Sequence, residues 1–340
     1  MAETANIPVI DISADGEGRQ QVAKELVEAA VSHGFIYIKD TGKDIPVESV
    51  DAAFEMARTL FASPEEEKQK CSIQQNNMGW SASQVEILDP KNQKVGDNKE
   101  SFNFGEFPNG KAQQPLPPSI HPYEARIAAF RAHCTALSLK LLQLLGEGLD
   151  VRPPSYFADV HQPARGPSGT VLRVLFYPPL SQPSAAAETR AAAHSDYGSL
   201  TLLFRLRGQP GLEVRGPNGG PWMPVPVCPP GTEADAGPPV LVNIGDLLSY
   251  WTNGLLRSTL HRVVLPAGAE ARYSIAFFCH PAGATRLEAV PSDRVRAYKK
   301  PEMGVGEDED LRRESVVMTA DEHLQMRLKE TYSHLYGGKA

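Results

Sequence analysis

The sequence predicts a mainly β protein with α-helices, in which a β-sandwich or barrel is framed by helical segments. Between about residues 168 and 279, apolar and polar residues alternate in short runs separated by Gly and Pro, a pattern typical of many short strands. The flanking segments instead place apolar residues at helical spacing. The chain also has 29 prolines among 340 residues, above the usual share of about 5%, which disfavours an all-helical protein.

The first 150 residues are predicted to be helical, with two short strands. An apolar stripe predicts the first helix, which ends before Gly34 and is followed by a buried strand. Ser63 and Pro64 have the residue types of a helix cap and first helical position. In order, we predict a helix over 19–32, a strand over 35–38, helices over 47–61 and from 64, a strand over 100–104, and a long helix over 123–149.

The later elements are the strands of the predicted core and a last helix. The strands are predicted over 171–177, 199–205, 212–215, 240–244, 261–265 and 273–279. Half of residues 210–239 are Pro or Gly, which indicates tight turns and one inserted loop, Cys228–Gly237, to which we assign no function. Thr319 and Glu322 form a predicted capping box that opens a helix over 320–332.

These elements predict one integrated domain built from four segments. Residues 1–120 form an N-terminal helix and strand region that frames the core, and residues 121–167 a long framing helix and connection. Residues 168–285 form the core, and residues 286–340 a C-terminal helical segment. No repeat or long linker divides the chain.

Composition excludes several classes of protein. The net charge of −7 disfavours binding to nucleic acid through phosphate contacts, and no apolar stretch reaches the ~18 residues of a membrane span. The N-terminus lacks the pattern of a signal peptide, and four widely spaced cysteines indicate reduced thiols. We therefore expect a cytoplasmic protein, monomeric or a weak homodimer, that binds a small molecule but neither nucleic acid nor membrane.

Three side chains form a candidate metal site. His194 and Asp196 point the same way in an extended chain, and His261 follows 67 residues later at the start of another predicted strand. Two imidazoles and one carboxylate form the facial triad of non-haem Fe(II) oxygenases, which leaves coordination positions open. The H-x-D pattern is weak when it is taken alone, and this ligand set also suits zinc.

Arg272 and Ser274 lie on one face of the strand that follows His261. A guanidinium beside a hydroxyl is well suited to binding a carboxylate. An arginine at the end of a strand is usually exposed, but its spacing behind a triad of metal ligands favours a binding role here.

With these residues in place, the sequence resembles the Fe(II)/2-oxoglutarate-dependent oxygenases, in particular the isopenicillin-N-synthase-like branch. The resemblance covers most of residues 7–335. Its segments are Ile7–Asp11, His33–Phe35, Phe61–Lys68, Leu172–Pro178, His194–Thr201, Asn243–Gly254 and Arg272–Ser274. The segment from His194 to Phe204 is most similar to fungal members, among them thymine dioxygenases and oxygenases of secondary metabolism. Leu175 stands where plant relatives usually have Asn.

The resemblance implies a double-stranded β-helix, a jelly-roll or cupin-like core. It implies Fe(II) on His194, Asp196 and His261, with 2-oxoglutarate and O2 as cosubstrates. The far carboxylate of 2-oxoglutarate would bind Arg272 and Ser274, with Tyr177 as a third candidate. The expected reaction oxidises an unactivated C–H bond of a small organic molecule and yields succinate and CO2, as in specialised-metabolite biosynthesis.

The substrate is not determined by these motifs. The candidate residues of its pocket are Phe102, Phe104, Arg173, Leu175, Phe204 and Phe278. Three alternatives stay open: a same-fold Fe(II) oxidase that does not use 2-oxoglutarate, a thymine-type nucleobase hydroxylase, and a non-catalytic β-barrel binding protein.

Overall fold

Twelve strands and eight α-helices are present in the computed structural model, which describes residues 4–39, 42–89, 93–179, 188–265, 269–299 and 317–331. The strands are β1 (Val9–Ile10), β2 (Phe35–Ile38), β3 (Gly79–Ser81), β4 (Glu100–Phe104), β5 (Val171–Tyr177), β6 (Glu188–His194), β7 (Leu200–Arg205), β8 (Leu212–Arg215), β9 (Trp222–Pro224), β10 (Val240–Ile244), β11 (His261–Leu265) and β12 (Arg272–Cys279). The helices are α1 (Glu17–Ser32), α2 (Val47–Ala62), α3 (Glu65–Gln69), α4 (Glu124–Gly148), α5 (Tyr156–Val160), α6 (Asp246–Trp251), α7 (Asp293–Ala297) and α8 (Ala320–Thr331).

The strands form two sheets. The major sheet has eight strands in the order β1-β2-β10-β7-β12-β5-β4-β3, and the minor sheet has four in the order β6-β11-β8-β9. All pairings are antiparallel except that of β1 with β2. The four N-terminal strands therefore extend the same sheet as the core strands.

The two faces of the major sheet have different neighbours. Helices α1, α2 and α4 pack on one face in the largest apolar cluster, which includes Leu26, Phe54 and Phe130. The minor sheet packs on the other face, where Leu175 and Ala276 meet Ala191, Val263 and Leu265. The result is the predicted sandwich with a helical cover on one side.

Most predicted elements are present, with shifts of one or two residues at their ends. Strand β6 was not predicted because its sequence, Glu-Thr-Arg-Ala-Ala-Ala-His, has few of the β-branched and aromatic residues that favour strands. The short elements β3, β9, α5, α6 and α7 were not predicted either. Thr319 and Glu322 form the predicted capping box. Tyr332, the predicted end of that helix, lies outside the described residues.

One predicted cap is wrong. Pro64, not Ser63, occupies the cap position of α3, and no side chain caps that helix. The Ser63 hydroxyl instead donates to the Thr59 carbonyl one turn back in α2 at 2.9 Å. The predicted cysteine state is confirmed, because all four cysteines are free.

Candidate metal centre and its cavity

The two histidines of the predicted triad meet across a strand pair. His194 ends β6 and His261 begins β11, and these residues are direct partners in the antiparallel ladder. Their ring centroids lie 4.3 Å apart. Asp196 follows β6 by two residues and reaches the same point. The pairing of β6 with β11 thus brings together residues that are 67 positions apart in the chain.

The donor atoms of the triad form a compact group. Asp196 Oδ1 lies 3.9 Å from His194 Nε2 and 3.6 Å from His261 Nε2. One ligand atom from each residue lies within 4.8 Å of the other two. Among the described residues, no other group of three His, Cys, Asp or Glu side chains meets this condition.

Hydrogen bonds orient each of these side chains. His194 Nδ1 lies 2.8 Å from the Ala192 carbonyl, and His261 Nδ1 lies 3.2 Å from the Thr259 carbonyl. Because a carbonyl only accepts, Nδ1 carries the proton in both rings and Nε2 presents its lone pair. Asp196 Oδ2 accepts from Thr201 Oγ1 at 2.6 Å and from Asn243 Nδ2 at 2.7 Å, which leaves Oδ1 directed at the histidines.

The electrostatics also suit a cation. Burial, together with the neighbouring His261, lowers the pKa of His194 well below its usual value, so this imidazole is neutral at physiological pH. Burial alone would raise the pKa of Asp196, but the two histidines and its two hydrogen bonds lower it on balance. A carboxylate and neutral imidazoles are the protonation states that a metal requires.

The loop after β6 is fixed by close packing and by Asp246. A Cβ at Gly245 would lie 2.3 Å from the Gly198 carbonyl oxygen, so only glycine allows this approach of two backbones. The Asp246 carboxylate accepts from Ser195 at 3.0 Å and from Ser258 at 2.6 Å. Because Ser195 lies between two triad residues and Ser258 precedes the third, Asp246 connects both ligand-bearing loops.

Arg272, Ser274 and Tyr177 lie together, as the sequence predicted. All three are buried, and Arg272 pairs with Tyr177 across β12 and β5. The Arg272 guanidinium lies 3.4 Å from Ser274 Oγ and 4.9 Å from the centre of the Tyr177 ring, and burial lowers its pKa. Tyr177 lines the cavity described next, whereas Arg272 and Ser274 are not among its lining residues, and the Arg272 guanidinium lies against the Tyr177 ring.

A cavity of about 90 Å³ adjoins the triad and is lined by His194 and Asp196. Three of the six predicted pocket residues, Arg173, Leu175 and Phe278, line it. Its other lining residues are Asn77, Glu86, Leu88, Lys99, Gly169, Val171, Tyr177, Ala191, Ser195, Tyr197, His280, Leu324 and Leu328.

The prediction that Phe102, Phe104 and Phe204 line the substrate pocket is wrong. All three belong to the apolar core on the helical side of the major sheet, and Phe204 contacts Phe130 of α4 at 5.1 Å between centroids. Successive strand residues face opposite ways, so Asn103 takes the cavity side of β4 and hydrogen-bonds Arg173 Nε at 2.7 Å.

Sequence reasoning missed the charged residues of the cavity wall. Glu86 and Lys99 line the cavity, and Asp97 pairs with Lys99 behind it. They belong to the polar stretch between α3 and β4, where no periodicity distinguishes an inward residue from an exposed one. The nearest signal was the presence of two carboxylates and a lysine within fourteen residues, which is a common surface pattern.

Comparison with known proteins agrees with this geometry. Residues 7–124 match the model of the "non-haem dioxygenase in morphine synthesis N-terminal" family, and residues 168–281 match that of the 2OG-Fe(II) oxygenase superfamily. The chain is 33% identical to proline hydroxylase buaE of Petromyces alliaceus over 350 residues, covering 97% of this chain and all of that protein. The chain belongs to the Fe(II)/2-oxoglutarate-dependent oxygenases.

A solved structure of a fungal protein has the same fold. A full-length Neurospora crassa protein crystallised with alpha-ketoglutarate (2-oxoglutarate) superimposes with a TM-score of 0.74 at 27% identity, covering 96% of this chain and 98% of the Neurospora protein. The complex of that protein with alpha-ketoglutarate and thymine superimposes with a TM-score of 0.73 at 25% identity. The predicted jelly-roll core is confirmed.

This oxygenase is a 2-oxoglutarate-dependent dioxygenase, an oxidoreductase that uses Fe(II) and 2-oxoglutarate. The donor set fits the metal, since two imidazoles with Nδ1 at a backbone carbonyl and one oriented carboxylate oxygen suit Fe(II). The alternatives of a binding protein without catalysis and of an oxidase without 2-oxoglutarate are therefore not retained. Within the described ranges, no helix is both long and apolar enough to cross a membrane.

Proposed function

We propose that this dioxygenase hydroxylates, or oxidises in a related way, a C–H bond of a small organic molecule bound in the cavity beside the triad. His194, Asp196 and His261 hold Fe(II). Arg272 and the Ser274 hydroxyl bind the far carboxylate of 2-oxoglutarate, and Tyr177 contributes a third contact. When bound, the iron supplies the activation of O2.

One observation supports this proposal above all. The metal ligands and the predicted cosubstrate site, Tyr177 with Arg272, lie at one cavity. Three oriented donor atoms lie within 4.8 Å of one another, and Tyr177 lines the same cavity with the Arg272 guanidinium against its ring. This arrangement suits a dicarboxylate that has one end at the metal ligands and the other at the guanidinium. The two hydrogen bonds on Asp196 Oδ2 keep the carboxylate oriented during turnover.

The reaction balances with O2 as the oxidant. A substrate C–H bond, 2-oxoglutarate and O2 give the hydroxylated substrate, succinate and CO2, with one oxygen atom in the product and one in succinate. Leu324 and Leu328 of α8, with Phe278, supply apolar surface that excludes water from the oxidised carbon.

The likeness to proline hydroxylase buaE supports hydroxylation of a small molecule, and a role in specialised-metabolite biosynthesis stays a prediction. The position of the cavity beside the metal ligands supports a small-molecule substrate. A cytoplasmic location, a monomer or weak homodimer, and the absence of nucleic-acid binding stay predictions.

A nucleobase is the second candidate substrate. The cavity is lined by three Tyr and Phe side chains, Tyr177, Tyr197 and Phe278. The Arg173 guanidinium, which also lines it, lies 5.5 Å from the centre of the Phe278 ring. Aromatic faces and a planar donor are suited to a flat heterocycle, and the similar Neurospora crassa protein has been crystallised with thymine.

The test compares His261→Ala with His121→Ala, since His121 is exposed and neither lines the cavity nor belongs to the triad. Loss of a ligand should reduce Fe(II)-dependent succinate release from 2-oxoglutarate roughly 100-fold or more, and Fe(II) binding in a titration should weaken. His121→Ala should retain both properties. A His261→Ala protein with wild-type iron affinity and succinate release would refute the assignment of the triad.

A further inference from the structure

Four charged side chains form a buried group on one wall of the cavity, which we call the cavity charge cluster: Glu86, Asp97, Lys99 and Arg173. Lys99 Nζ lies 2.7 Å from Glu86 Oε2 and also pairs with Asp97. Arg173 Nη1 lies 2.9 Å from the other oxygen of Glu86. The side chains of Glu86, Asp97 and Lys99 are at most 5% exposed, and that of Arg173 is 11% exposed.

The cluster is held from behind by neutral partners. Asp97 Oδ1 accepts from the Ala192 amide of β6 at 3.1 Å and from Gln93 Nε2 at 2.7 Å. Arg173 Nε donates to Asn103 at 2.7 Å. These contacts connect the cluster to the strand that carries His194, so its position relative to the triad is fixed.

The cluster contains two cations and two anions and therefore has no net charge. Burial alone would lower the pKa of Lys99, but the charges of Glu86 and Asp97 outweigh burial and raise it, so the lysine is a cation. Its ammonium has three protons. It donates to Asp97, forms an ion pair with Glu86 and lines the cavity, so a molecule in the cavity can accept a hydrogen bond from it.

We propose that the cavity charge cluster is the substrate-recognition wall of this dioxygenase and that it selects an uncharged molecule with an amide-like edge, a carbonyl acceptor beside an N–H donor. Lys99 and Arg173 present donors to the carbonyl, and the Glu86 carboxylate, which can accept more than one hydrogen bond per oxygen, receives the N–H. This inference rests on the proposed function, since it assumes that the substrate occupies this cavity.

A carboxylate substrate fits this wall poorly. The two cations are already matched by Glu86 and Asp97, so a third buried anion would have no counter-charge and would lie close to Glu86. An uncharged amide needs hydrogen bonds but no counter-charge. Phe278, Leu324 and Leu328 also line the cavity and offer apolar contact to the rest of the molecule.

The experiment uses matched pairs of small molecules, each carboxylic acid beside its primary amide, with thymine added as an uncharged cyclic imide. Binding to the protein with Mn(II) and 2-oxoglutarate is read from the shift in melting temperature, because no turnover occurs with Mn(II). Substrate-dependent succinate release with Fe(II) gives kcat/KM. The wild-type enzyme should favour the uncharged member of each bound pair at least about tenfold.

Two variants remove one negative charge from the cluster: Glu86→Gln at the cavity surface and Asp97→Asn behind it. Either change leaves a net positive charge, so the preference for the amide should fall at least about tenfold and the carboxylate should gain affinity. Glu213→Gln is the matched control, because Glu213 pairs with Arg262 at 2.7 Å outside the cavity. Two variants keep the test valid if one of them fails to fold.

Preference for carboxylates in the wild-type enzyme, no bound amide in the panel, or an unchanged preference in both folded variants would overturn the inference. Succinate release from 2-oxoglutarate without substrate separates this outcome from failure of the proposed function. If that release is intact, only the substrate assignment fails. If it is absent from the iron-loaded wild-type enzyme, the proposed function fails.

Discussion

At the scale of single residues, hydrogen bonds to protein groups orient every ligand of the candidate metal centre. Backbone carbonyls hold the Nδ1 side of both imidazoles, and Thr201 and Asn243 hold one oxygen of Asp196. Each side chain therefore has one ligand atom left for a metal, and the hydrogen bonds fix the direction in which that atom points. Such partners commonly account for roughly 10–100-fold in metal affinity or activity.

Arg272→Met tests the cosubstrate site. Loss of the guanidinium leaves a buried carboxylate of 2-oxoglutarate without its charged partner, which costs at least about 2 kcal/mol. The KM for 2-oxoglutarate, measured from succinate release, should rise at least about 30-fold. Arg262→Met is the control, since Arg262 pairs with Glu213 away from the cavity. An unchanged KM in Arg272→Met would disprove the role assigned to Arg272.

The residues of the site differ in how far the sequence could predict them. The H-x-D spacing, a later His and an Arg-x-Ser pair were sufficient to predict the residues that the structure brings together. Phe102 and Phe104 were placed on the wrong side because the alternation of a strand does not tell which face meets the second sheet. Glu86 and Lys99 lie in a stretch without periodicity, so only the tertiary structure shows that they are buried.

At the scale of elements, helix α8 completes the cavity from the far end of the chain. Leu324 and Leu328 line it, and Arg327 Nη2 lies 3.0 Å from Asp246 Oδ2. The Arg327 guanidinium also lies 5.0 Å from the centre of the Tyr197 ring. Because Asp246 accepts from Ser195 and Ser258, α8 contacts the same carboxylate that connects the two ligand-bearing loops.

Arg327→Met should loosen α8 while leaving the sheets intact. The ion pair is largely buried, with side chains 16% and 13% exposed, so its loss should raise amide hydrogen exchange in residues 320–331 about tenfold or more. Exchange in β12 should not change. Lys329→Met, on the exposed side of the same helix, provides the comparison. Equal exchange of α8 in all three proteins would mean that the ion pair does not hold the helix.

The strands show how element prediction depends on composition. Val-, Leu- and Phe-rich β5, β7, β10 and β12 were predicted almost to their ends, because alternation and β-forming residues agree there. The alanine-rich β6 was missed, although it carries His194, since its pairing with β11 and not its own propensity makes it a strand. A local sequence pattern does not show which distant strands will pair.

At the scale of the whole molecule, buried neutral histidines make stability depend on pH. His161 is fully enclosed, with Nδ1 2.6 Å from the Phe157 carbonyl and Nε2 2.8 Å from Ser199 Oγ. Burial lowers the pKa of His161 to about 4 from its ordinary 6.5. The unfolded chain therefore binds a proton between these pH values that the folded protein does not, so stability falls as pH decreases through this window.

The substitution His161→Gln should remove the contribution of His161 to the pH dependence of stability. The free energy of unfolding of the wild-type protein should lose up to about 1.4 kcal/mol per pH unit from this group between about pH 6.5 and 4, and the variant should show a correspondingly shallower slope. Urea unfolding of the metal-free protein at several pH values measures this slope. His121→Gln, at an exposed position, should match the wild-type slope. Identical slopes in all three proteins would contradict the assignment.

The organisation of the chain into segments 1–120, 121–167, 168–285 and 286–340 stays a prediction. The N-terminal strands β1–β4 share the major sheet with core strands, and α4 packs on it. These contacts explain why composition showed no linker: the segments contribute to one set of layers.

The ladder pairing of His194 with His261 has a consequence for the order of assembly. The two strands meet only after the residues between them have closed into a loop, and that closure is among the slower steps for a chain with many non-local contacts. The three ligand atoms therefore come together only when this long-range pairing has formed. Iron bound to these atoms stabilises the folded protein by mass action.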